Sequence, residues 1–165
     1  MDLWVADYAA NTIGHYYCDP HETTYITNGV NQPVALAFDD FKGFLWAANA
    51  GANNVTAYNA ITNDGPIVTV PTGDLQPTAL LSHGSDLYIA AFGAKGSKVF
   101  DYNVKTGTQT EVTDGVNAPA ALAWCEPNLC VMNAFSITIY DSSNKLVNTI
   151  KIKQTPISLS AVPAH

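Results

Sequence analysis

A chain of 165 residues, 47% of them apolar, is long enough for one domain with a real core and too apolar to be disordered. Fourteen carboxylates face seven cations, all lysine, for a net charge of −7. Phosphate recognition leans on Lys and above all Arg, so nucleic acid and anionic membrane surfaces are poor partners for this chain. Its apolar runs are short and broken by Asn, Gly, Pro and Asp; none approaches the ~20 residues of a membrane-spanning helix.

Met1-Asp2-Leu3-Trp4 runs straight into a strand pattern, so no signal peptide is read at this start. The expectation is either a cytosolic protein or one whose leading segment has been removed. Leu3 to Asp7 reads as a strand, and Thr12 to Tyr17 as the next. Asp19-Pro20-His21-Glu22 is a turn, and Thr23 to Thr27 a β-rich strand closed by Asn28-Gly29. A full unit follows, with strands near 33–38, 44–49, 54–59 and 66–71 and a turn at Asn63-Asp64-Gly65. The next unit has strands near 77–82, 86–91, 97–102 and 108–113, with two extra residues in the loop 92–96. The last full unit has strands near 119–124, 129–133, 136–141 and 145–152. Thr155-Pro156-Ile157-Ser158-Leu159 then repeats the opening of a unit once more.

The repeat is regular. Leu3, Leu45, Leu87 and Leu129 open the second strand of each unit at intervals of 42 residues. Tyr16, Tyr58, Tyr102 and Tyr140 fall on the third strands. Gly, Pro and β-branched residues recur too often for a helix. Four short strands every ~42 residues are the signature of a propeller blade, whose two faces both pack on neighbours and whose inner strands are therefore apolar throughout.

The residues Pro-x-Ala-Leu-Ala-Phe, Leu-Trp-x-Ala-Asn/Asp and the Tyr-Asn or Tyr-Asp that ends the third strand carry a resemblance over the whole chain. It resembles the NHL, YVTN and streptogramin-lyase-like or SMP-30-like propellers. The reading is an all-β, four-bladed β-propeller in one domain, 1–165. Blade 1 is 156–162 plus 3–28, blade 2 is 33–72, blade 3 is 77–114 and blade 4 is 119–152. In this reading the C-terminal strand 156–162 lies beside Leu3–Asp7 and closes the first blade, removing two open sheet edges. Closure within one chain gives four blades. Closure between two chains gives eight, and the resemblance implies rings of six to eight.

In such families the ligand face is built by the loops after the second strand and before the first. Asp7, Asn49, Ala91 and Asn133 are equivalent there, and three of the four carry side-chain oxygens. Oxygen ligands suit Ca²⁺, and the resemblance to SMP-30-like lactonases, which hold a metal with Glu, Asn and Asp, makes Asp7, Asn49 and Asn133 the candidate metal and ligand residues. The competing reading is that they cap strand ends. Phe92 and Phe135 sit in the same loops, either as a sugar or protein contact or as plugs of a narrow channel. Streptogramin-lyase-like enzymes use a His with an acidic partner at this face. Here no loop of that face holds His or Glu: His15 is on a third strand, His21 and His83 are at the far end, and His165 is terminal. No catalytic residue is assigned. The function expected is a non-catalytic binding or structural module, with strand exchange of its termini as one route to self-association. A metal-dependent lactonase or lyase is the alternative.

Cys125 and Cys130 flank the tight turn Glu126-Pro127-Asn128-Leu129, where two strands can bring Cβ atoms to disulfide distance; either could also be a small buried hydrophobe. Neither belongs to a metal-binding CxxC pair. A possible bridge, many Asn and Thr and no Arg point to an extracytoplasmic, secreted protein.

Overall fold

Short apolar runs between Gly, Asn and Pro do become strands. The computed structural model describes residues 2–18, 21–153 and 159, and among these every element is a strand, each paired antiparallel with its neighbour. None of the described residues forms a helix long and apolar enough to cross a membrane. The first sheet holds β1 (Asp2–Asp7), β2 (Thr12–Tyr17) and β3 (Thr23–Ile26). The second is β4 (Pro33–Asp39), β5 (Phe44–Asn49), β6 (Asn54–Asn59) and β7 (Val68–Pro71). The third is β8 (Gln76–His83), β9 (Asp86–Gly93), β10 (Gly96–Asn103) and β11 (Gln109–Val112). The fourth is β12 (Ala121–Cys125), β13 (Asn128–Met132), β14 (Ser136–Tyr140) and β15 (Leu146–Lys151). A disulfide joins Cys125 to Cys130 across the β12–β13 turn, with Cα atoms 5.9 Å apart, and Cys18 is free and exposed.

Strand order within each four-stranded sheet is strictly sequential, from an inner first strand to an outer fourth. This defines two ends. The upper end carries the turns between second and third strands and the crossover loops from one sheet to the next. The lower end carries the other two sets of turns. A bulge at Pro33/Ala35 and its equivalent at Pro77/Ala79 mark the upper start of the inner strands, where proline cannot donate to the ladder.

Most strand boundaries fall within one or two residues of the sequence expectation, and two departures change the shape of a turn. The outer strand of the second sheet begins at Val68, because Asp64, Gly65 and Pro66 complete the turn. In the third sheet the residues expected as a loop pair instead, Phe92 with Ser97 and Gly93 with Gly96, leaving a two-residue turn at Ala94 and Lys95. Its hairpin strands are eight residues each against six in the second sheet, so the extra residues lengthen the hairpin.

The core lies between sheets. One cluster joins the first and second through Ile13, Ile26, Leu45 and Tyr58; another joins the second and third through Trp46, Val55, Leu87 and Phe100; a third joins the third and fourth through Tyr88, Val99, Leu129 and Tyr140. Each second-strand leucine therefore faces the sheet before it. Leu45, Leu87 and Leu129 are 2%, 0% and 1% exposed, whereas Leu3 is 58% and Val5 40% exposed. Among the described residues no core cluster joins the fourth sheet to the first. The strand 156–162 expected to close the first blade lies outside the described residues.

Candidate functional site

The upper end was the expected ligand face. Asp7, exposed at the end of β1, accepts the Ala10 N–H at 2.9 Å and so caps its own turn. Asn49 and Asn133 are fully buried and do something more elaborate. The amide oxygen of Asn49 accepts the Asn31 N–H of the crossover loop at 3.1 Å, while its nitrogen donates to Thr56 Oγ1 (2.9 Å) and Asn54 Oδ1 (3.0 Å). Thr56 donates on to the Tyr58 hydroxyl at 3.0 Å, which donates to the carbonyl of Asn28 at 2.9 Å. The fourth sheet repeats this. Asn133 accepts the Asn117 N–H at 2.9 Å and donates to Thr138 Oγ1 at 2.9 Å, and Tyr140 donates to the Asp114 carbonyl at 2.6 Å. Burial raises both phenols above their ordinary pKa, which keeps them protonated as donors.

The Asn–Thr–Tyr ladder thus staples each crossover loop at two points. The loops it holds are β-turns, Thr27–Val30 and Thr113–Val116, with glycine at the third position (Gly29 at φ 73°, Gly115 at φ 73°) where a left-handed residue is required. Each amide oxygen accepts one crossover-loop N–H and each amide nitrogen donates within its own sheet, so both side chains are engaged in holding the loop. Among the described residues, the Asn49 and Asn133 networks are also separate, with no hydrogen bond from either to the other or to Asp7. Among the described residues, no group of three His, Cys, Asp or Glu side chains could hold a metal ion.

The third sheet breaks the pattern. Ala91 stands where Asn49 and Asn133 stand, and Phe100 where Thr56 and Thr138 stand. The preceding crossover turn, Thr72–Leu75, is also reversed, with Gly73 (φ 67°) at its second position. Without a staple, the Thr72 hydroxyl bonds the Leu75 carbonyl at 2.6 Å instead. The space so released is a cleft of about 530 Å³ over Phe100 and Leu75, rimmed by Asp74, Lys95, Lys98 and Glu111. Lys95 pairs with Asp74, and Lys98 with Glu111 at 2.6 Å. The hydrogen bond and charge of Lys95 hold the Asp74 carboxyl below its ordinary pKa. Phe92, expected at this face, is exposed on the lengthened hairpin that forms the cleft wall; Phe135 is exposed on the β13–β14 turn of the next sheet. Asp74 was visible in the sequence only as a loop carboxylate. The signal that could have located the cleft was Ala91 at an Asn position beside a two-residue insertion.

Among the described residues, histidine lies near a carboxylate at the lower end. His15, buried in β2, stacks on Trp4 at 3.7 Å, and its Nδ1 lies 3.1 Å from Asn63 Oδ1 of the second sheet. Its Nε2 is 3.4 Å from Asp2 Oδ2 without the alignment of a hydrogen bond. His15 itself is packed between Trp4 and Tyr17 and its contact with Asn63 joins the first sheet to the second at the lower end, while Asp2 is half exposed.

No protein-family model matches the chain, and no curated protein does. Solved structures do. Hydrazine synthase from Kuenenia stuttgartiensis matches with a TM-score of 0.80 and 17% identity over 92% of this chain and 46% of its own. A catalytically inactive histidine-to-alanine virginiamycin B lyase from Staphylococcus aureus, solved with quinupristin, matches with a TM-score of 0.74 and 19% identity over 94% and 53%. A chain of a mitotic checkpoint complex matches at 0.80 and 16% over 98% and 54%. At these identities the likeness is one of fold, a β-propeller scaffold, and the chain spans about half the length of the structures it matches.

Proposed function

We propose that the chain is a non-catalytic propeller module that assembles with a second copy through the open face of its first sheet. The observation that carries this reading is the exposure of Leu3 and Val5, at 58% and 40%, where the equivalent leucines of the other sheets are at most 2% exposed. A blade face of that composition is stable when a further blade covers it. The edge of β1 is also where an inner strand belongs, since β4, β8 and β12 each cover that edge in their own sheets. The sequence Pro156-Ile-Ser-Leu159 has the pattern of those inner strands. Overlay on parts of chains about twice as long, at TM-scores up to 0.80, supports a blade-to-blade rotation that carries four blades only part of the way round. Two copies related by a twofold axis along the channel would close the ring, each giving strand 156–162 to the other's β1. The polar side chains of the upper face support the non-catalytic half of the reading, because Asn49 and Asn133 are committed to holding loops.

Light scattering and sedimentation test this directly. The full chain is expected to have the mass of two copies. Removing residues 154–165, or placing aspartate at both Leu3 and Val5, is expected to return it to one. A full chain that stays monomeric at every concentration overturns the assembly.

A further inference from the structure

The net charge of the chain is not spread evenly. Among the described side chains of the upper half, four carboxylates (Asp7, Asp74, Glu111, Asp114) face four lysines (Lys95, Lys98, Lys151, Lys153), for a net charge of zero. The lower half carries nine carboxylates, among them Asp39, Asp40, Asp86 and Asp101, against Lys42, Lys105 and Lys145, for a net charge of −6. Such an asymmetry gives the lower end a negative field that attracts cationic partners.

This end also holds a built groove. Between the first turn of the second sheet and that of the third is a cleft of about 560 Å³, lined by Phe38, Asp40, Phe41, Ser82, His83 and Ser85. Phe38, near the end of β4, and Phe41, in the turn that follows, are 52% and 47% exposed and give the cleft an aromatic wall. The far wall is stiff, because His83 stacks on Trp124 of the fourth sheet at 3.9 Å. The near wall is fixed by Asp39, whose Oδ1 accepts the Phe41 N–H at 2.7 Å. Asp39 is fully buried behind this wall and does not itself line the cleft; its Oδ2 has no hydrogen-bond partner among the described residues. The chain already sets a cation against this surface: Lys42 Nζ lies 5.4 Å from the centre of the Phe41 ring.

We propose that the lower end is the docking face for a basic polypeptide segment, one lysine or arginine side chain of which seats in the Phe38–Phe41 groove beside Asp40. An aromatic wall attracts a cation through its ring quadrupole, and Asp40 supplies the opposite charge. The surrounding carboxylates draw in the rest of the segment and raise its association rate. Ser82 and Ser85 provide hydroxyls for the ammonium or guanidinium hydrogens. The groove is independent of the first-sheet face, so the two proposals stand or fall separately.

The test is calorimetric titration of the full-length chain with octalysine at near-physiological salt. Saturable binding is expected. Phe41→Ala leaves the net charge unchanged and is expected to weaken binding about tenfold, the loss of one partly desolvated cation–π contact plus its packing. Asp40→Asn is expected to weaken it comparably, while Asp74→Asn, the same charge change at the other end, shifts it less than about twofold. Lys42→Gln removes the cation that competes for the ring and is expected to tighten binding about threefold. Both phenylalanines are solvent-exposed, and an unchanged melting temperature of each variant confirms that the fold is intact. Equal weakening by Asp40→Asn and Asp74→Asn means diffuse charge attraction and overturns the proposal. So does wild-type affinity in Phe41→Ala, or an absence of saturable binding.

Discussion

The first sheet and the three that follow carry the same leucine in the same register, and the same leucine meets opposite environments. Leu45, Leu87 and Leu129 each press on the preceding sheet; Leu3 presses on nothing described and is mostly exposed. Periodicity alone made these four positions equivalent. What makes a position core in a stacked array is the neighbour, because each repeat buries its apolar face only against the next. The largest expected effect tests this contrast. Leu87→Ala is expected to cost about 3 kcal/mol in chemical denaturation, as for other fully buried leucines that leave a cavity. At concentrations where the chain is monomeric, Leu3→Ala is expected to cost less than about 0.5 kcal/mol. If the first face is covered by a second copy, the Leu3→Ala cost grows with protein concentration while that of Leu87→Ala does not. Equal costs in the dilute chain would break the contrast and show that Leu3 is core.

The same contrast runs through the polar positions at the upper end. Asp7 caps an exposed turn, whereas its repeat counterpart Asn49 is buried in a ladder that pins a crossover loop. Asn49→Ala strands the Asn31 N–H and removes the amide donor that reaches Thr56 Oγ1 and Asn54 Oδ1, so a loss of about 2 kcal/mol is expected from the thermal midpoint. Asp7→Ala is expected to cost at most about 1 kcal/mol, the scale of a solvent-exposed cap. Calcium and EDTA separate this account from the oxygen-ligand reading of Asp7, Asn49 and Asn133. With the amides used internally, neither reagent should move the melting temperature. A calcium-dependent rise that Asp7→Ala abolishes would restore the metal.

Much of the scaffold was legible. The interval of 42 residues separates the leucines, and each sheet is sequential around them. Strand pairs such as Phe44–Asn49 with Asn54–Asn59 follow from apolar runs bounded by turn residues. Closure was not legible in the same way. It depends on the rotation between blades, which arises from side-chain packing at each joint and leaves no period in the sequence. The upper face was legible as a row of oxygen-bearing residues but not as a role. An Asn at a strand end reads alike whether it faces a channel or a loop, and only the register of Thr56 and Thr138 against it decides. The cleft over Phe100 arises from a break in that register. The Phe38–Phe41 groove depends on the spacing between the first turns of two neighbouring sheets, which the apolar run of β4 does not encode.

The smallest expected effect probes a joint that the first sheet lacks. Asp101 in β10 is half buried against the fourth sheet and accepts a hydrogen bond from Asn144 Nδ2 at 2.6 Å. Burial raises its pKa above the ordinary carboxylate value; the Asn144 bond opposes this and the Asp86 charge adds to it. A carboxyl whose folded pKa is raised binds its proton more readily when folded. Its contribution to stability is therefore complete below the ordinary pKa, about 4, and is lost as pH rises through the raised value. At neutral pH the joint carries a charge that burial disfavours. Asp101→Asn keeps an acceptor for Asn144 and removes that charge, imitating the protonated acid at every pH. The variant is expected to melt roughly 1–3 °C above the parent chain at pH 7, a shift of a fraction of a kcal/mol, and the gap is expected to close below about pH 4. A gap that is independent of pH would mean that packing or the Asn144 bond, and not charge, sets the energy of the joint. A lower melting temperature at pH 7 would mean that the charged hydrogen bond outweighs burial, and would make Asp101 a stabilising strut between the third and fourth sheets.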